Sequence, residues 1–123
     1  MFSDGYFQVA KGRSTNELSR TRAVTVDDLT LQNGAPTHLK IDVEGHEAAV
    51  LRGARTTLNQ HSPLLFLELH NEIVAREGGD PNAALDELAQ LSYSTFALNG
   101  NPIEKAALLD KQIVRIFAAR NRA

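Results

Sequence analysis

One stretch of the chain, residues 38–47, changes from the pattern of a β-strand to the pattern of an α-helix. Its sequence is HLKIDVEGHE. Aliphatic and charged residues alternate along the first part, so a strand would carry the aliphatic side chains on one face and the charged ones on the other. Gly45 then allows a tight turn, and small and apolar residues at three- and four-residue spacings predict a helix over residues 45–58. The stretch therefore predicts a strand, a sharp turn and a helix.

Three carboxylates fall at this junction, those of Asp42, Glu44 and Glu47. In an open parallel sheet, ligands bind outside the carboxyl ends of the strands, where these groups would project. Crowded like charges lower stability, so we expect a function for Asp42, which is still part of the strand. Glu47 is expected only to occupy the first helical turn, where the positive end of the helix dipole favours an acid.

A second strand is predicted over residues 64–70. Four consecutive large apolar residues, 64–67, fit a strand that is buried on both faces of a parallel sheet. Glu68 and His70 follow at its end and share one face. Because neighbouring parallel strands end at one edge of a sheet, we expect Glu68 and His70 to lie beside Asp42 and Glu44. Two strands would then build one polar pocket.

The rest of the chain is expected to form short strands and helices within a single domain, residues 1–123. A hairpin of strands at residues 5–10 and 22–26, joined by a polar loop at 11–19, comes first. Asp27 is expected to cap a helical turn that reaches residue 31. The further predicted elements are a helical turn at 71–79, a helix from Asp80 to residue 91, a strand at 93–98, a helix at 103–110 and a strand at 112–119.

The composition excludes several classes of protein. A net charge of −2 produces no field that would attract nucleic acid or an anionic membrane. The absence of cysteine removes disulfides, thiolate metal sites and cysteine nucleophiles. The apolar run at residues 64–67 is far shorter than the roughly 20 residues of a membrane span, and the first residues lack a secretory pattern. We therefore expect a soluble, cytoplasmic protein.

Three blocks of the sequence, in order, resemble the FkbM family of S-adenosylmethionine-dependent methyltransferases. VTVDDL at residues 24–29 resembles the family's hydrophobic-Thr-Leu-Asp-Asp segment, with Val26 in place of the usual Leu. LKIDVEGHE at 39–47, followed by VLRGA at 50–54, resembles its central signature. Residues 63–70 resemble the next strand and end in Glu-Leu-His. The resemblance covers residues 24–71.

This resemblance implies an α/β fold, namely the C-terminal half of a Rossmann-like class I methyltransferase sheet, with a last strand inserted antiparallel. It also implies S-adenosylmethionine as cofactor and O-methylation of a sugar or another small hydroxyl compound. Asp42 and Lys40 would meet the cofactor. Asp42 or Glu44 would orient the acceptor hydroxyl, and His70 or Glu68 would act as general base. No metal ion is assigned in this interpretation.

The chain departs from the family where the cofactor is usually held. A glycine-rich turn after the first strand and an acid after the second, which normally bind such a cofactor, are not found in the sequence. By comparison with the family, the chain would begin after the first three core strands. The half-sheet would then expose an inner edge strand, so a homo-oligomer through that edge is expected.

Two alternatives stay open at this point. The first is a non-catalytic α/β module for binding or assembly. The second is a hydrolase in which Mg²⁺ or Mn²⁺ is held by hard oxygen ligands and an imidazole, from Asp42, Glu44, Glu68 and His70.

Overall fold

The computed structural model describes residues 6–10 and 18–120. The predicted hairpin and α/β unit are present, and most of the predicted loop at residues 11–19 lies outside the described residues. The elements are β1 (Tyr6–Ala10), β2 (Leu18–Arg22), α1 (Val26–Asn33), β3 (His38–Ile41), α2 (Glu47–Arg52), α3 (Arg55–His61), β4 (Leu64–His70), α4 (Asn71–Arg76), α5 (Asn82–Gln90), β5 (Tyr93–Phe96), α6 (Lys105–Leu109) and β6 (Ile113–Arg120).

A four-stranded mixed sheet in the order β3-β4-β6-β5 forms the centre of the fold. β3 and β4 pair in parallel, with Ile41 opposite Leu67. β6 pairs antiparallel with both β4 and β5, so β3, β4 and β5 all run in the same direction. The mixed α/β sheet and its inserted antiparallel last strand are therefore confirmed.

The hydrophobic core lies on one face of this sheet. Alternate strand residues are buried against leucines of α2, α3 and α5, and each fully buried leucine contributes about 1.5–3 kcal/mol. The core includes Ile41, Leu51, Leu58, Leu65, Leu67, Leu69, Leu88, Val114 and Ile116.

The opposite face of the sheet is only partly covered. Leu64, Phe66 and Glu68 are half-buried, whereas their neighbours in β4 are buried. The rings of Phe66 and Phe117 meet edge to face on this side, with centroids 4.5 Å apart. The prediction that β4 is buried on both faces is therefore wrong, because the described helices cover one side of it.

The predicted helix at residues 45–58 is two helices, α2 and α3, separated at Gly53 and Ala54. α1 docks at this break. A Cβ on Gly53 would lie only 3.1 Å from Cβ of Thr25, and Asp27 N donates to Gly53 O at 3.0 Å. Periodicity alone cannot show the break, since it results from contact with another helix.

Asp27 caps a different helix from the one that was predicted. Its carboxylate accepts hydrogen bonds from the backbone of Thr56 at 3.2 Å and of Thr57 at 2.8 Å. These are amides of the first turn of α3. α1 is capped instead by Thr25, whose Oγ1 accepts from Asp28 N at 3.0 Å, while the Asp28 carboxylate accepts from Thr25 N. Asp27 therefore joins α1 to α3.

Other boundaries differ by a few residues. β2 lies at Leu18–Arg22 instead of 22–26, α1 extends to residue 33, and the helical turn expected at 71–79 is α4, which follows β4 without a loop. The ranges predicted for the later elements contain α5, β5 and α6. β6 ends one residue after its predicted range, at Arg120. Among residues 6–10 and 18–120, no helix has both the length and the apolar character that a membrane span requires.

Candidate active site

The parallel pairing of β3 and β4 brings Asp42 and His70 into contact. Asp42 directly follows β3, and His70 is the last residue of β4. The distance from His70 Nε2 to Asp42 Oδ1 is 3.0 Å. The His70 side chain is 8% exposed and the Asp42 side chain 38%, so a molecule in solution reaches this pair through the carboxylate.

Glu68 completes the strand-end cluster, which consists of Asp42, Glu68 and His70. Its Oε1 lies 3.8 Å from His70 Nε2 and 3.2 Å from the Arg115 guanidinium. One ligand-type atom from each member of the cluster lies within 4.8 Å of the others. Three of the four predicted catalytic residues are thus brought together, as the strand pattern predicts.

Glu44 lies outside the strand-end cluster. It is exposed, and its φ of 49° places it in the left-handed region within the turn that follows β3. The backbone therefore leaves the direction of the strand before it reaches Glu44. The expectation that Glu44 joins Glu68 and His70 is wrong for this reason.

A hydrogen bond from His70 lowers the pKa of the Asp42 carboxyl below its ordinary value of 3.8. Partial desolvation opposes this effect, and the nearby charges of His70 and Lys40 add to it. The ionised carboxylate can only accept, so the tautomer that satisfies the contact carries its proton on Nε2. Nδ1 of His70 is buried and has no hydrogen-bond partner among the described residues.

Glu47 is a buried acid with two specific contacts. Its Oε2 accepts from the backbone of Gly45 at 2.8 Å, and its Oε1 accepts from the backbone of His70 at 3.0 Å. Glu47 does occupy the first turn of α2, as predicted. The sequence carries no signal for the contact with His70, because an acid in a first helical turn has an ordinary explanation.

A cleft of about 130 Å³ opens on the partly covered face of the sheet. Its lining includes Lys40, Phe66, Glu68, Leu98 and Arg115. Ligand pockets for drug-sized molecules span about 300–1,000 Å³, so this cleft suits a small polar group and not a whole nucleoside. Of the strand-end cluster, only Glu68 lines this cleft. The partly exposed Asp42 carboxylate would suit the cationic, reacting end of S-adenosylmethionine by its charge.

The fold and the cluster define an α/β protein with an acid–histidine pair at the carboxyl edge of its parallel strands. The sequence profile of the Methyltransferase FkbM domain matches residues 3–95. The chain therefore belongs to the FkbM methyltransferase family, which confirms the resemblance noted at residues 24–71. No curated protein matches the chain, and no solved structure does.

Proposed function

We propose that this chain provides the acceptor side of an S-adenosylmethionine-dependent O-methyltransferase whose substrate is a hydroxyl group of a sugar or another small molecule. The observation that supports this most is the 3.0 Å contact between Asp42 and His70 in a member of the FkbM family. S-adenosylmethionine supplies an electrophilic methyl group when bound. The protein must align the acceptor oxygen and assist the loss of its proton.

Asp42 is the residue to which we assign the acceptor hydroxyl. Its carboxylate is partly exposed and accepts hydrogen bonds only, so it can orient an O–H group and receive its proton. His70 Nε2–H stabilises the carboxylate from the buried side. Lys40 lies in β3, near enough to Asp42 to help lower its pKa, and it would meet a carboxylate of the cofactor.

Which residue acts as general base is less well defined by the geometry than the role of Asp42. His70 directs Nε2–H at Asp42, and its other ring nitrogen is buried, so the proton of the acceptor would reach Asp42 first. Glu68 is held by Arg115 at 3.2 Å, which leaves it less free to accept a proton. The proposal therefore makes Asp42 the first proton acceptor, with His70 as its hydrogen-bond partner. The assignment of His70 or Glu68 as general base, made from the sequence, stays a prediction.

The test is transfer of a radiolabelled methyl group from S-adenosylmethionine to a panel of monosaccharides and glycosides. We expect Asp42→Asn to lower the rate by about 100-fold or more, because the variant loses the group that orients the acceptor hydroxyl and first receives its proton. His38→Asn is the matched control, because His38 is exposed at the opposite end of β3. Full activity in the Asp42 variant would remove Asp42 from the mechanism.

Calorimetric titration of the folded protein with S-adenosylmethionine addresses the non-catalytic alternative. A methyltransferase site predicts measurable heat that Asp42→Asn reduces. No binding and no transfer, in a protein that is otherwise folded, would favour a module for binding or assembly.

A divalent metal site is the second candidate, favoured by the three ligand-type atoms of the strand-end cluster within 4.8 Å of one another. Carboxylates and imidazole suit Mn²⁺, and carboxylates suit Mg²⁺. Arg115, paired with Glu68, and Lys40 next to the cleft place positive charge at the same position and oppose a cation. Saturable binding of Mn²⁺ that Asp42→Asn abolishes, without affinity for S-adenosylmethionine, would favour the hydrolase.

A further inference from the structure

Glu47 connects both ends of the contact between Asp42 and His70. One carboxylate oxygen accepts from Gly45 N, in the turn that follows Asp42, at 2.8 Å. The other accepts from the backbone N–H of His70 itself, at 3.0 Å. The Glu47 residue is only 3% exposed, so these bonds are formed where water does not compete for them.

The turn at residues 43–46 needs such support. Gly45 has a φ of 102° and Glu44 a φ of 49°, and a glutamate in the left-handed region is an uncommon and strained conformation. Within the turn, His46 N reaches Val43 O only at 3.3 Å. The shorter bond from Gly45 to Glu47 therefore restrains the segment that carries Asp42.

The same side chain restrains the other partner. His70 N donates a hydrogen bond to Glu47 Oε1 at the point where β4 passes directly into α4. The contact bridges 23 residues of sequence, so it joins the start of α2 to the end of β4. A change at Glu47 would release both ends of the contact together.

We infer that Glu47 is a positioning residue for methyl transfer, a role that rests on the proposed function. Its two described hydrogen bonds go to backbone groups and not to the side chains of Asp42 or His70, so it acts by setting the distance between those side chains. A misplacement of about 1 Å at a reacting group lowers a rate by about 100-fold. Glu47 therefore governs the rate of the chemical step more than the binding of the acceptor.

The experiment compares Glu47→Gln with the unaltered protein. Glutamine keeps the length of the side chain but points an NH₂ donor at one of the two backbone N–H groups. We expect kcat to fall by about 10- to 100-fold, with KM for the acceptor changed by less than about threefold. In the background of Asp42→Asn, Glu47→Gln should cause no further loss, because its effect passes through Asp42.

Two further measurements report the geometry without any turnover. The His70 Nε2–H proton should give a sharp NMR signal in the unaltered protein, and Glu47→Gln should shift or broaden it. The amide of Gly45, which lies outside any helix or strand, should exchange slowly with solvent. Rapid exchange of that amide in the unaltered protein would overturn the inference even if Glu47→Gln does not fold.

Glu87→Gln is the control, since Glu87 is also a buried glutamate on a helix but is paired with Arg55 of α3. It should leave kcat and the Nε2–H signal unchanged. Equal effects of the two variants, or an unaltered signal and kcat in Glu47→Gln, would overturn the role of Glu47. A protein without methyl transfer whose Nε2–H signal still depends on Glu47 would contradict the proposed function alone.

Discussion

At the scale of single residues, the central feature is a carboxylate that is stabilised from its buried side. His70 donates to Asp42, and this hydrogen bond is the largest cause of the lowered pKa of that carboxyl. An acid of this kind stays ionised and ready to accept a hydroxyl hydrogen over a wide pH range. Its low proton affinity is acceptable where the proton leaves in step with the transfer of the methyl group.

The first prediction concerns the titration of Asp42. His70→Phe keeps a ring at this position and removes the donor, so the pKa of Asp42 should rise towards 3.8. The ¹³C shift of the Asp42 carboxyl, followed from pH 6 downwards, measures it. His38→Phe should leave the midpoint unchanged, and identical midpoints in all three proteins would show that His70 does not stabilise the carboxylate.

The lowered pKa of Asp42 should also make the free energy of unfolding depend on pH. A carboxyl with a lowered folded-state pKa stabilises the protein above its ordinary pKa, and this contribution is lost as the pH falls through the lowered value. Between pH 5 and pH 3, the free energy of unfolding should therefore fall more steeply in the unaltered protein than in His70→Phe. Urea denaturation at both pH values measures the difference.

The sequence predicts some of the contacts at the strand ends and misses others. Asp42, Glu68 and His70 could be placed together because strand alternation and parallel pairing fix the faces and ends of two strands. Glu47 could not, since its partner His70 is a backbone group brought near only by the folded chain. Glu44 was misplaced because the pattern of alternating residues continues past the point where the strand ends.

At the scale of elements, the junctions between successive helices and strands depend on glycines and on contacts between helices. β3 ends at Ile41, three residues before the end of the predicted alternation. β4 and the helix after Asp80 were predicted to within two residues, because each has a strong local pattern. The break between α2 and α3 was not, because it is set by packing of Gly53 on Thr25 and by the cap from Asp27. Local patterns do not contain information of that kind.

The second prediction tests the cap on α3. Asp27→Ala removes the acceptor for the backbone of Thr56 and Thr57, and the loss of such a cap lowers the free energy of unfolding by about 0.5–2 kcal/mol. Urea denaturation measures it. Asp110→Ala, at an exposed acid after α6, should change it by no more than about 0.5 kcal/mol. Equal values would mean that the cap contributes nothing.

The third prediction concerns the turn after β3. Gly45→Ala forces an alanine to a φ of 102° and brings its Cβ within 3.2 Å of Ile73 Cγ2. Gly100→Ala meets a similar φ of 89° with no atom within 4 Å. Because both variants carry the backbone strain, about 1–3 kcal/mol, only the contact distinguishes them. Thermal unfolding should show the larger loss for Gly45→Ala, and equal losses would show that Ile73 moves away freely.

At the scale of the whole molecule, the described sheet ends at β3. Leu64 N donates to Thr37 O, so alternate backbone groups, those of His38 and Lys40, face away from β4. Unpaired edges of this kind bind other strands. β3 is an edge strand of the order β3-β4-β6-β5. The sequence analysis predicts an exposed edge strand of this kind for a half-sheet.

The fourth prediction is that two copies of the chain associate through this edge. We propose a dimer in which β3 of one copy pairs with β3 of the other. Sedimentation velocity over a range of concentrations should show it. His38→Pro, which removes one N–H on the free side, should shift the equilibrium towards the monomer, whereas His38→Asn should not. Unchanged association in the proline variant would exclude this edge.

The cap that Asp27 places on α3 also limits how the protein can be shortened. A fragment that starts at Ala35 would keep all four strands of the mixed sheet and the whole strand-end cluster. It would nevertheless expose two amides at the start of α3 and uncover Gly53. We expect it to melt at a lower temperature than a fragment that starts at Ala23, so the segment before the sheet belongs in any minimal version chosen for expression.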